Sequence, residues 1–149
     1  MPVQVTKIET QPKTIILTSF RDAPRLQCNK YSISRWQPKN TQYPELRALA
    51  PKYPDGTPIN NLSPNEYKEE YIKYVLNNVK AYEQLSAVIS ILDDGESAAL
   101  LCWCNLSRQS EYSELFCHRI LVGYYINKRF PGIQTVFADG AEVPVWQSL

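Results

Sequence analysis

Two apolar runs, Ala98 to Cys104 and Ile133 to Phe137, stand either side of a polar loop and an amphipathic segment, and this order constrains the fold more than any other feature. A strand, a helix and a second strand in succession read as a crossover unit, which is how parallel strands are joined. Three of the four cysteines and the only histidine, His118, fall between the first strand and the start of the helix. In an open α/β sheet that zone, outside the carboxyl ends of the strands, is where ligands bind.

The rest of the chain fits that frame. At 149 residues it has the length of one domain with a real core. The expectation is a single α/β domain over residues 1–149, a Rossmann-like sandwich with a mostly parallel sheet flanked by helices. A net charge of +1 argues against a broad nucleic-acid-binding surface and leaves room for a local basic pocket. No apolar run approaches the ~20 residues that cross a bilayer, so no membrane partner is expected. The first residues lack the apolar core of a signal peptide. The expected setting is therefore cytoplasmic, with thiols rather than disulfides.

Taken in order, residues 1–13 are a polar lead-in, with a short strand possible at Val3 to Ile8. Thr14 to Phe20 is β-branched and apolar, the composition of a central strand. It ends at Arg21-Asp22-Ala23-Pro24-Arg25, where Pro24 stops regular structure and leaves arginines at the strand's carboxyl end. Tyr31 to Trp36 alternates as a strand would, with Tyr31, Ile33 and Arg35 on one face. Six of the eleven prolines lie between Pro38 and Pro64, so the segment at about 38–63 reads as irregular, a binding loop or a surface wrap. One or two helical turns fit at Pro44 to Leu49.

Ser63-Pro64-Asn65-Glu66 is a helix start, with Ser63 as cap, Pro64 at the first position and Glu66 closing a capping box. Apolar spacings of three and four then predict one buried stripe through Tyr67, Tyr71, Tyr74, Val75, Val79, Tyr82, Leu85, Val88, Ile89 and Leu92. Asn77-Asn78 is a natural division into two helices, and Asp93-Asp94-Gly95 ends the second.

The cysteine and histidine cluster admits three readings. Cys102 and Cys104, two apart on a strand, share a face, with Trp103 opposite. With Cys117 and His118 they make a chemically sound zinc set. Adjacent Cys117 and His118 diverge by roughly 100° on a helix, however, and no metal is expected. A thiol at a helix start beside arginine and histidine would be a nucleophile, with Cys117 or Cys104 attacking and His118 as general acid or base. The favoured reading is an anion pocket, in which helix N–H groups and Arg119 hold a phosphate or carboxylate. Ser110 or Ser113 as helix cap would place Cys117 a turn inside and weaken the last two readings together.

Four segments also carry a family resemblance. Tyr31 to Lys39 (Tyr-Ser-Ile-Ser-Arg-Trp-Gln-Pro-Lys), Tyr43 to Pro51, Leu-Leu-Cys at Leu100 to Cys102, and Cys-His-Arg at Cys117 to Arg119 occur in this order. Together they resemble domain-of-unknown-function family 488, small bacterial and phage α/β proteins, over roughly residues 14–130. The resemblance implies a Rossmann-like fold and supplies no settled reaction. Arg35, Cys102, Cys117, His118 and Arg119 are the matched positions. Members of the family often carry a carboxylate where this chain has Cys104, and the loop from Asn105 to Phe116 is longer than theirs.

The function expected from the sequence is binding of a small anionic ligand, a nucleotide or a nucleic-acid end, at the carboxyl ends of the strands. Arg21, Arg35 and Arg119 would converge there as ligand contacts, with His118 on the wall. An enzyme with a cysteine nucleophile and a protein-interaction module are the alternatives. No cofactor is expected, and the sequence leaves the oligomeric state open.

Overall fold

The computed structural model describes residues 11–103 and 118–143, and its sheet is built around the β-branched run Thr14–Ser19, strand β1. Three further strands complete the sheet among the described residues: β2 (Asn29–Ser32), β3 (Ser97–Cys102) and β4 (Gln134–Phe137). The order is β2-β3-β1-β4, and every strand pairing is parallel. β1 lies beside β3 over its whole length, from Thr14 opposite Ser97 to Ser19 opposite Cys102. The chain thus has the expected α/β, Rossmann-like organisation.

Three α-helices accompany the sheet among the described residues: α1 (Pro64–Tyr71), α2 (Val79–Ser90) and α3 (His118–Arg129). Their apolar residues, among them Leu85, Val88, Leu121 and Ile126, form one cluster with Ile15, Leu17, Leu100 and Phe137 of the sheet. The opposite sheet face is closed more thinly among the described residues. Phe20, Ala23, Ala99 and Leu101 make a small cluster there, joined by Leu26 and Tyr43. Because β1 lies between β3 and β4, α3 must cross over β1 to connect them. Gly123 permits the close approach: a Cβ there would sit 2.5 Å from Cδ1 of Leu17.

The start of α1 follows its sequence signal. The Ser63 side chain accepts the Glu66 N–H at 3.3 Å and donates to the Glu66 carboxylate at 2.7 Å. The buried stripe is not continuous, however. Val79 is 65% exposed and Tyr82 37%. The reason is a π-helical turn at Ile72–Leu76, which adds a residue to the turn and shifts the phase of the residues beyond it. Asn78 then caps a new helix by accepting the Lys80 N–H at 3.0 Å. Tyr71, Val75 and Leu76 are buried before the break, Ala81, Leu85, Val88 and Ile89 after it.

β2 also departs from expectation, ending at Ser32 rather than running to Trp36. The Ser32 N–H donates to the Pro44 carbonyl at 2.8 Å, and the Ser32 carbonyl accepts the Leu46 N–H at 2.9 Å. The proline-rich segment therefore lies along the end of β2. Ile33 makes one more bond to β3, its N–H donating to the Leu101 carbonyl at 3.0 Å, and the chain then turns away. Ile33 is fully buried and Arg35 is exposed, so the two do not share a face. The short lead-in strand at Val3 to Ile8 lies outside the described residues.

Candidate ligand-binding site

At the carboxyl ends of β2 and β3 lies an open cleft of about 380 Å³. The turn after β2 supplies Ser34, Arg35 and Trp36, the end of β3 supplies Cys102 and Trp103, and Pro51 and His118 complete it. His118 is held from within. Its Nε2 lies 2.8 Å from the Ile33 carbonyl oxygen, and its ring packs 5.6 Å from that of Tyr71. A carbonyl oxygen only accepts, so Nε2 is the nitrogen that carries the hydrogen. Tyr71 is anchored in turn, its hydroxyl donating to the Leu49 carbonyl at 2.6 Å. The proline-rich segment, the helical layer and the turn after β2 are thereby tied together behind the cleft.

The mouth is aromatic and cationic. Trp36 is 59% exposed and Trp103 49%, unusual for side chains of this size. Trp103 is fixed by donating its indole N–H to the Trp36 carbonyl at 2.8 Å and by edge-to-face packing on Phe20, with centroids 5.4 Å apart. The Arg35 guanidinium lies 5.0 Å from the centroid of the Trp36 ring. A flat apolar surface thus sits beside an exposed cation.

Of the residues singled out in the sequence, the structure brings Arg35 and His118 together and adds Cys102. It separates the other two arginines. Arg119 has no exposed surface, so it is not a direct contact for an external anion. Neighbouring helical residues point roughly 100° apart, and with His118 facing the cleft its neighbour faces inward. Arg21 lines a different cleft of about 470 Å³, at the ends of β1 and β4, with Thr18, Ser19, Asp22, Arg25 and Asp139. β3 lies between β1 and β2, and strands stand roughly 5 Å apart. The convergence of three arginines does not form.

The Thr18 hydroxyl in that second cleft is buried with no hydrogen-bond partner among the described residues. The charges around it are balanced, however, Arg21 and Arg25 against Asp22 and Asp139. Asp22 is held by the Ser19 hydroxyl at 3.4 Å, and Asp139 by the Ala141 N–H at 2.9 Å. Cys104 and Cys117 lie outside the described residues, as do Ser110 and Ser113. Among the described residues no three histidine, cysteine or carboxylate side chains gather as a metal site.

Sequence reasoning missed the two tryptophans as walls. Their signal was present: Trp36 stands between Arg35 and Gln37, and Trp103 falls on the opposite side of β3 from the buried Cys102. Compared with protein-family models, curated proteins and solved structures, the chain matches none. No helix among the described residues is long and apolar enough to cross a membrane.

Proposed function

We propose that the protein binds a small anionic ligand bearing an aromatic ring, a nucleotide or the end of a nucleic-acid strand, in the cleft between the ends of β2 and β3. The observation that carries this reading is that the Arg35 guanidinium lies over the exposed Trp36 ring and shares one cleft with the exposed Trp103. Base stacking on an aromatic side chain contributes roughly 1–3 kcal/mol. A charge-assisted contact from Arg35 to phosphate contributes roughly 1.5–3 kcal/mol. We propose a relationship to family 488 on the same ground, since three of the five matched positions, Arg35, Cys102 and His118, line this one cleft.

The test is a titration with thymidine 5′-monophosphate followed by tryptophan fluorescence. Saturable quenching is expected, weakened about tenfold or more by Arg35→Ala and left unchanged by Arg21→Ala. Equal loss in both variants, or no saturable signal, contradicts the reading.

A catalytic reading is favoured by one observation. His118 reaches the cleft with its ring orientation set by the Ile33 carbonyl, as a general acid or base requires. Cys104 or Cys117 would be the nucleophile. Rapid alkylation of either thiol well below about pH 8 would support it.

A further inference from the structure

The cleft does not end at Arg35. Ser34, Arg35 and Trp36 also line an adjoining pocket of about 520 Å³, whose far side includes Arg47, Ala50 and Lys52. Arg47, Ala50 and Lys52 in turn line a third pocket of about 330 Å³, which reaches Tyr74 and Lys80 at the start of α2. Three depressions therefore share walls and follow one another from the ends of β2 and β3 to α2, a track of adjoining pockets.

Its charge is one-sided. Besides His118, the charged side chains lining it are the cations Arg35, Arg47, Lys52 and Lys80 and the carboxylate of Glu45, while Glu70 and Asp55 stand next to Tyr53 at the edge of the third pocket. Glu45 is engaged by Arg47 Nε at 3.2 Å and by the Gln37 amide at 3.4 Å. Four lining cations against one lining carboxylate stand out in a chain whose net charge is +1. The cleft at the ends of β1 and β4, with two of each sign, shows no such excess. The track is also built on fixed backbone. The Ala48 N–H donates to Gln84 Oε1 of α2 at 3.0 Å, so the turn bearing Arg47 is fastened to the helix bearing Lys80. The Tyr53 and Tyr74 rings pack edge to face at 5.2 Å beneath the third pocket.

Spaced cations along a groove, with flat aromatic surface at one end, match a chain of phosphates more closely than a single one. We infer that the ligand is a single-stranded oligonucleotide whose terminal nucleotide occupies the Trp36–Trp103 cleft and whose following phosphates run past Arg47 and Lys52 to Lys80. The inference rests on the proposed reading of the cleft and specifies its ligand. A single strand is favoured over a duplex because the stacked base and the phosphates that follow it along a narrow row of cations belong to one flexible backbone.

The experiment compares thymidine 5′-monophosphate with 5′-phosphorylated oligothymidylates of up to about six nucleotides, for the unaltered protein and for Lys52→Ala/Lys80→Ala. Both lysines are exposed, and circular dichroism checks that the fold is retained. Affinity should rise with length by about tenfold or more and then level off. The double variant should lose about fivefold or more on the oligonucleotide and nothing on the mononucleotide. Its log–log salt dependence should flatten by roughly 1.4, as loss of two single-strand phosphate contacts requires. Mononucleotide binding without any gain from length, or equal affinity for a duplex of the same length, overturns the inference and leaves the cleft reading standing. Failure of every ligand to bind overturns both.

Discussion

His118 Nε2 and the carbonyl oxygen of Ile33, 85 residues apart in sequence, lie 2.8 Å from each other and join the first turn of the described α3 to the end of β2. The bond sets the ring's tautomer and fixes one wall of the cleft against another. His118→Ala should therefore act on stability as well as on the site. Leaving the buried Ile33 carbonyl unsatisfied costs about 1–3 kcal/mol, readable as a lower midpoint in urea unfolding. His118→Gln, whose side-chain amide is a donor, should recover part of the loss. Equal destabilisation by both would show that the bond matters less than the packing of the ring on Tyr71.

Gly123 marks the place where α3 crosses β1. A methyl group there would approach Leu17 Cδ1 to 2.5 Å and Val143 Cγ1 to 3.1 Å. Alanine would ordinarily strengthen a helix relative to glycine by roughly 1 kcal/mol. Here overpacking should outweigh that gain and Gly123→Ala should destabilise by about 1–3 kcal/mol. An increase in thermal midpoint would show that Leu17 and Val143 yield more easily than their burial implies.

The Ser63 cap gives a local control. Ser63→Ala removes the acceptor of the Glu66 N–H and should cost about 1 kcal/mol. The cap is exposed and distant in sequence from the cleft residues, so mononucleotide affinity should not change. A parallel loss of affinity would mean that the α1 start and the cleft are energetically coupled.

Much of the fold was legible because its signals are local. The β-branched run of β1, the Ser63 cap and the Asn78 break are each written within a few residues. The parallel crossover from β3 to β4 followed from the strand–helix–strand order, although β1 lies between the two. The features that escaped depend on distant partners. β2 ends at Ser32, whose outer backbone groups pair with Pro44 and Leu46, and nothing within Tyr31 to Trp36 announces that partner. The stripe through Val79 and Tyr82 failed because a π turn carries no sequence period of its own. Arg119 looked like an anion contact on composition, whereas burial decides its role. The line of Arg35, Arg47, Lys52 and Lys80 is spread over 46 positions and assembles only when the proline-rich segment folds back on α2.

Thiol reactivity should separate the half-buried Cys28 and the buried Cys102 from any catalytic cysteine. Cys102 is 1% exposed, and burial pushes the Cys28 thiol up, with Lys30 and the Ala99 N–H opposing only in part. A raised value keeps the neutral thiol at physiological pH, and the thiol is the unreactive form. Both should therefore label slowly with iodoacetamide at about pH 8 in the native state and quickly in urea. Rapid native labelling of Cys28 would contradict the direction of its shift.

The most direct measurement is a crystal structure with thymidine 5′-monophosphate bound. The phosphate is expected within hydrogen-bonding distance of Arg35, with the base against the exposed face of Trp36 or Trp103 and His118 on the cleft wall. A phosphate held by Arg21 and Arg25 at the ends of β1 and β4, with the tryptophan cleft empty, would contradict the assignment of the site.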